Sequence, residues 1–414
     1  MTTRRTTDTG SALMTTLGTH LAIALTGAGW HPLAWREPDA CPDDLLTADY
    51  WTDLVGEADR AGIDLVTIAD RFRLRPPTTD DLDRPAAELA AGRLDSVLVA
   101  ARVASTTSRV GLVPTVVATH TEPFHAAKAI ATLDYVGRAR AGVLVEVADT
   151  DPDARLFGRR TLPAESAERQ RELFSESTEY VEVLRHLWDS WEDGAEIRDV
   201  STGRFVDRRK LHHIDFEGRF FSVRGPSITP RPPQGQPVIA ATTAAGAAAV
   251  DFVGASADIG FVAAHDRPSA TRAVAAVRDA QSRAGREDEQ VHVLADLLVH
   301  LDDRDRTAEA RRNRLDDVLG TPYTGGVPVF SGTAADLADH IADLTGSGIT
   351  GVRLRPATVP HDLLQITTNL VPELRRRGLI RDADAPSLRE RLGLTRPANR
   401  FTLTTATTTG AGRR

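Results

Sequence analysis

Residues 109–148, RVGLVPTVVATHTEPFHAAKAIATLDYVGRARAGVLVEVA, hold the pattern that decides the fold. The apolar run from Arg109, RVGLVPTVV, is short and rich in Val, and reads as a buried strand. Pro123 then opens a helical stretch that runs to Val136. A missing N–H costs nothing there, and the fixed φ of proline suits a first turn. AGVLVEVA from Ala141 is the next buried strand. Outward from this unit the same alternation recurs. Upstream lie HLAIALTG from His20 and DLVTIAD ending at Asp70. Downstream come PVIAATT from Pro237, ADIGFVAA from Ala257, VHVLADLLVHL from Val291 and GVRLRPA from Gly351. Eight strand runs, each followed by a helical pattern, predict an α/β fold of the (β/α)₈ barrel type rather than an open sheet.

A helix is expected around Tyr50–Ala61, and a longer one after the fourth strand. In the latter Tyr180, Leu184, Leu187, Trp188 and Trp191 follow a helical stripe, which reads as a buried face rather than an aromatic ligand box. Two segments break the alternation. Arg71–Gly92 separates the second strand from its helix, and Asp193–Gln236 reads as a β-hairpin excursion rich in turns and aromatics. Both follow barrel strands, on the face where barrel enzymes hold their sites, so both are candidate lids. Residues 1–17 and 401–414 are polar and Thr- or Gly-rich, and disorder is expected in each. A single barrel over residues 18–400, with insertions at 71–92 and 193–236, is the expected organisation.

The 414 residues carry 50 basic and 58 acidic side chains, a net charge of −8. That balance argues against a nucleic-acid binder, which needs a basic face. Only Lys128 and Lys210 are lysine, a bias that reads as GC-rich coding rather than a phosphate-binding design. No apolar run approaches the ~18–20 residues of a membrane span, so no membrane role is expected. Cys41 stands alone, excluding a disulfide framework or a cysteine-built zinc site, and a cytoplasmic location is expected. The twin Arg4–Arg5 is followed by a Thr-rich stretch, without an apolar signal segment.

Gly346–Gly351 spells GxGxxG, but it follows a helical stretch (Ala334–Leu344) and precedes a strand. A dinucleotide fingerprint needs the reverse order, so this is a helix-to-strand turn. His212–His213 lie beside Arg208, Arg209 and Lys210 in a basic hairpin, and no metal site is expected. His120 and His125 follow the third strand, and His31 follows the first within GWHPLAWR. Each is a candidate acid/base or substrate contact, with a structural histidine as the alternative. Trp30, Trp35 and Arg36 either wall a flat ligand or cap the barrel. Asp70 ends the second strand, and Thr115 and Thr119 lie in and just after the third. Thr242 and Thr243 end the fifth, ahead of Gly246 and an alanine stretch that opens a helix. Polar groups at strand carboxyl ends beside a helix amino terminus suit a phosphorylated flat cofactor.

The blocks HPLAWREP, YWTDLVGEADRAGIDLVTIAD, ATLDYVGRARAG and LWDSWEDGAEIRD resemble one family in the same order. So do DRRKLHHIDFEGRFFSVRGP with RPPQGQPVI, and VPELRRRGLIRDADAPSLRERLGLTRPANR. The family is the nitrilotriacetate, dibenzothiophene-sulfone and long-chain-alkane monooxygenase group of the luciferase-like flavin-dependent monooxygenases. The resemblance runs from His20 to Arg400. It implies a barrel that binds FMN, received reduced from a separate NAD(P)H:flavin reductase, and that oxygenates a small organic substrate with O₂. It also implies a homo-oligomer, a dimer or tetramer.

Carried over by position, Asp70 matches the family's acidic residue and Thr115 the threonine beside the isoalloxazine. Elsewhere the chain departs from the pattern. The family's Trp-Asn and Thr-Ser after strand four are Val143-Leu144 and Val147-Ala148 here. Its phosphate-holding His and Tyr are Gln170 and Phe174, and its Gln-Ala-Gly…Ser loop is Ala241-Thr242-Thr243 with Ala245 or Gly246. Each lost hydrogen bond costs roughly 0.5–3 kcal/mol of cofactor binding. Thr242, Thr243, the helix amino terminus, Arg159 and Arg160 are the available compensation. Two alternatives stand beside the oxygenase: a non-catalytic barrel acting as partner subunit or binding protein, and a deazaflavin-dependent dehydrogenase.

Overall fold

The structure is a computed structural model that describes residues 18–72, 92–380 and 384–402. Most of the Arg71–Gly92 segment and nearly all of both expected tails lie outside the described residues.

The first four strands are β1 (His20–Leu25), β2 (Leu65–Ile68), β3 (Gly111–Val117) and β4 (Gly142–Glu146). Two small hairpins follow, β5 (Glu196–Asp199) with β6 (Arg204–Val206), and β7 (Phe216–Glu217) with β8 (Ser222–Val223). Then come β9 (Val238–Thr242), β10 (Ile259–Val262), β11 (His292–Leu301), β12 (Val329–Gly332) and β13 (Gly351–Pro356). The parallel ladder β1-β2-β3-β4-β9-β10-β11-β13 closes on itself through β13–β1, giving the expected eight-stranded barrel. A ninth strand, β12, pairs with the upper end of β11 from Leu298 to Leu301. The eight strand runs read from the sequence do not include β12. Its four residues are only half-buried and show no apolar run.

Strand alternation gives the barrel wall two faces. Ile23, Val66, Leu112, Ile239, Val293 and Leu354 face outward into the layer shared with the helices. Ala22, Leu65, Val113, Leu144, Ala240, Ile259 and Leu294 fill the interior. Burying each large aliphatic side chain contributes about 1.5–3 kcal/mol.

The helices are α1 (Ala48–Ala61), α2 (Ser96–Ala104), α3 (Pro123–Val136), α4 (Asp151–Phe157), α5 (Ala167–Asp189) and α6 (Ala247–Ser256). After them come α7 (Arg267–Arg283), α8 (Ala308–Leu319), α9 (Ala334–Thr345), α10 (His361–Gln365), α11 (Val371–Arg376) and α12 (Leu388–Arg391). Their boundaries follow capping chemistry. Thr47 caps α1 by accepting from the Tyr50 N–H, and Gly62 ends it at φ +76°, where a side chain would be strained. Asp266 and Ser269 form a capping box on α7, and Thr333 and Asp336 form one on α9. Gly346–Gly351 is the α9-to-β13 turn that the order of elements implies. Tyr180, Leu184, Leu187 and Trp188 are buried along α5, whereas Trp191 lies just past its end and donates to the Ser227 carbonyl (2.7 Å).

The amino-terminal end of the barrel is floored by the carboxyl-terminal segment. Leu388, Leu392 and Leu394 pack into the interior cluster beside Ala22, Leu65 and Val113. Gly111 is required there, because a Cβ would lie 2.6 Å from Leu388 Cδ1. Arg389 pairs with Asp258 (3.1 Å), and the Leu392 carbonyl accepts from His292 Nε2 (2.7 Å). The hairpin excursion is anchored differently. Glu179 of α5 accepts the backbone N–H groups of Arg219 (2.9 Å), Phe220 (2.8 Å) and Phe221 (2.7 Å) in the β7–β8 turn.

Candidate active site at the mouth of the barrel

With the floor closed, the carboxyl-terminal ends of the strands are left to form the site. Asp70 stands two residues beyond β2 and accepts from the Arg71 N–H (2.7 Å) and the Ser96 N–H (3.1 Å) at the start of α2. Burial raises its carboxyl above the usual range, and the two backbone N–H groups oppose that rise. Ser96 Oγ in turn donates to the Thr115 carbonyl (2.6 Å). Asp70, Ser96 and Thr115 thereby tie together the ends of β2, α2 and β3.

Thr115 alternates with outward-facing Leu112 and Val116 and shares the inner face with Val113. It is 2 % exposed, and its hydroxyl has no hydrogen-bond partner among the described residues. Thr119 is fully engaged, its Oγ1 accepting from the Ala148 N–H (3.1 Å) to join the tops of β3 and β4. Thr242 and Thr243 are half-buried at the end of β9, and the Thr243 N–H donates to the Phe261 carbonyl (2.9 Å). Gly246 takes φ +90° at the start of α6, a helix that begins without any side-chain cap. The first N–H groups of α6 are therefore not satisfied by a capping side chain.

The three candidate histidines fall in different surroundings. His31 is 1 % exposed, with Nε2 toward Asp316 Oδ1 (3.3 Å) and Nδ1 accepting from the Leu33 N–H (3.1 Å). His120 sits at φ +72°, stacked on Phe157 (5.2 Å), with Nε2 buried and unpartnered. Burial first, and the Arg160 charge second, keep its pKa below the ordinary histidine value. His125 is exposed on the first turn of α3. At the departures from the family pattern, Gln170 donates to Asp149 (2.8 Å) while its Oε1 is buried without a partner, and Phe174 packs on Phe252 (5.9 Å). Arg159 and Arg160 are paired with Glu122 (3.3 Å) and Glu176 (2.8 Å).

Sequence reasoning missed the most charged part of the mouth. On β13, Val352 and Leu354 face the helices, so Arg353 and Arg355 turn inward, where both meet Asp296 of β11. Burial alone would raise the Asp296 carboxyl, but the Arg353 and Arg355 guanidiniums overcome it and hold the pKa at about 2. Arg353 lies 3.8 Å over the Phe261 ring, and Arg355 lies 4.3 Å over the Trp30 ring. The signal was available: arginine at alternate positions of GVRLRPA, and one acid inside VHVLADLLVHL. His300, also on β11, was missed as well. It is fully buried, neither ring nitrogen has a partner among the described residues, and burial pushes its pKa down to about 4.

A separate surface cleft of about 790 Å³ is lined by Asp302, Asp303, Thr333, His361, Gln365 and Asn369. Asp302 and Asp303 already accept backbone N–H groups of their own loop, from Ala308 (2.6 Å) and Arg306 (2.6 Å). The convergent buried polar groups are in the barrel, and the barrel mouth is the candidate site. Among the described residues no group of three or more His, Cys, Asp or Glu could hold a metal ion. No described helix is long and apolar enough to cross a membrane.

Likeness to known proteins agrees with this architecture. The N-acetyl-S-(2-succino)cysteine monooxygenase of Bacillus subtilis (strain 168) is 26% identical, covering 92% of this chain and 98% of that protein. Nitrilotriacetate monooxygenase component A of Aminobacter aminovorans is 27% identical, covering 90% and 95%. The crystal structure of a long-chain alkane monooxygenase superposes with a TM-score of 0.79 at 22% identity, covering 91% of this chain and 95% of that one. The family model for luciferase-like monooxygenases matches residues 29–354, the barrel from the end of β1 through most of β13, and the chain belongs to that family.

Proposed function

We propose that this chain is the oxygenating component of a two-component system, using reduced FMN and O₂ to oxygenate a small organic substrate. The observation that carries the reading is the Thr115 hydroxyl, buried and, among the described residues, unpartnered on the inner wall beside the Asp70–Ser96 link. A buried hydroxyl left without a bond costs about 1–3 kcal/mol, an expense that a ligand's polar edge would offset. The donor set fits FMN at its other end too. The uncapped start of α6, with Thr242 and Thr243, suits a phosphate. Bound reduced flavin supplies the electrons that activate O₂. The protein's share is to orient the ring through Thr115 and Asp70, to hold the phosphate at α6, and to exclude water. The relative named component A supports delivery of reducing power by a second protein, a flavin reductase.

Fluorescence titration with oxidised and photoreduced FMN tests the reading. Binding is expected, and Thr243→Ala is expected to weaken it. Absence of binding by either form would overturn it. Gln170 and Phe174, in place of the phosphate-holding His and Tyr, favour a second reading, a partner subunit without turnover. Product formation by this chain with reduced flavin and O₂ dismisses that reading. Oxygen consumption separates the oxygenase from a deazaflavin dehydrogenase.

A further inference from the structure

Positive charge exceeds negative charge among the bonded groups of the inner wall. Asp296 Oδ1 accepts from Arg353 Nε (3.0 Å) and Arg355 Nε (2.9 Å), and its Oδ2 accepts from Nη2 of both. One carboxylate therefore serves two guanidiniums and has no further capacity. Arg353 Nη1 donates to nothing among the described residues, and Arg355 Nη1 reaches only the Gly325 carbonyl at 3.4 Å. Glu146, half-buried at the end of β4, acts electrostatically on both arginines but forms no ion pair with either. Its carboxylate accepts no hydrogen bond among the described residues. The bonded cluster thus carries one positive charge in excess, opposed only at longer range by Glu146, and the planar fork of arginine matches a carboxylate best.

We propose that the Arg353–Asp296–Arg355 cluster binds a carboxylate of the substrate, making small organic acids the substrate class of this mouth. The proposal rests on the mouth being the oxygenase site argued above. Arg353 Nη1 and Arg355 Nη1 supply the donors, while Asp296 and the Phe261 and Trp30 rings fix the two planes. Glu146 repels the same anion from the opposite wall, which restrains affinity and rejects poorly placed anions.

Succinate, with succinamide as its neutral counterpart, serves as probe in calorimetric titrations at fixed ionic strength, with and without FMN. Succinate is expected to bind at least about tenfold tighter than succinamide, the difference one strong charge-assisted contact makes. Arg355→Gln leaves a neutral one-to-one Asp296–Arg353 pair and is expected to abolish that preference. Glu146→Gln removes the repelling charge from a carboxylate that accepts no hydrogen bond among the described residues and leaves its backbone bond to Ala118 in place, so folding is retained. It is expected to tighten succinate about three- to tenfold. Equal binding of the two probes, or succinate binding that Glu146→Gln fails to tighten, overturns the proposal. FMN is titrated separately, so succinate binding without FMN binding sinks the flavin reading alone, and the converse sinks the acid subsite alone.

Discussion

Thr115 and Asp296 sit on the same inner wall but respond to substitution in opposite ways. The Thr115 hydroxyl is buried without a partner, so Thr115→Val removes a desolvation cost and no bond. Its melting temperature is expected to be unchanged or higher, while FMN affinity falls by up to about tenfold, read by fluorescence titration. Equal loss of both would instead make the hydroxyl structural. Asp296→Asn keeps the shape but strands two buried guanidiniums without a counter-charge. Removing one partner of a buried ion cluster costs about 3–5 kcal/mol, which urea unfolding will register as a lower midpoint. The positions of Asp70 and Thr115 at the ends of β2 and β3 were legible in the sequence because strand ends are readable. His300 and Asp296 were not singled out, because inside a continuous apolar run a lone polar residue looks like a defect until its neighbours from other strands are known.

Among elements, legibility followed locality. The eight barrel strands are apolar runs, and α3 and α9 announce themselves by Pro123 and by the Thr333–Asp336 box, all within a few residues. The role of α12 depends on contacts with strands hundreds of residues earlier, and no local pattern shows that Leu388 enters the barrel. Leu388→Ala is expected to cost about 2–5 kcal/mol, since a cavity at a closed barrel end relaxes poorly. A denaturant midpoint near that of the unaltered protein would show that the floor is dispensable. The β7–β8 hairpin packs Phe216, Phe221 and Val223 on the outer core, and Glu179 accepts the backbone N–H groups of its turn. Glu179→Ala leaves three backbone N–H groups of the turn without their acceptor. Limited proteolysis is expected to cut faster between residues 216 and 223, while the barrel's melting temperature stays within a few degrees, because the eight barrel strands make no ladder pairing with the hairpin.

At the scale of the whole molecule, the barrel folds around titratable groups that only the assembled structure buries, which gives its stability a defined pH dependence. Burial pushes His292 down to about 3 and His300 down to about 4, so both stay neutral in the fold. In the unfolded chain each titrates near the ordinary value of about 6.5. As pH falls below that value the unfolded state takes up two protons that the folded state refuses, and stability falls. Asp134 acts the other way. Burial raises its carboxyl to about 6, so the folded state binds a proton there before the unfolded state does. For these three groups the balance near pH 5 is about one proton in favour of the unfolded state, a slope of about 1.4 kcal/mol per pH unit. Carboxylates held low in the fold, Glu182 and Asp296 among them, add to the loss from about pH 5 downward. His300→Phe removes one of the two histidine contributions, leaving His292 and Asp134 to cancel. Thermal melts between pH 7 and pH 4.5 are expected to fall steadily for the unaltered protein and less steeply for His300→Phe. A slope unchanged by that substitution would mean that His300 finds a partner or solvent in the folded barrel.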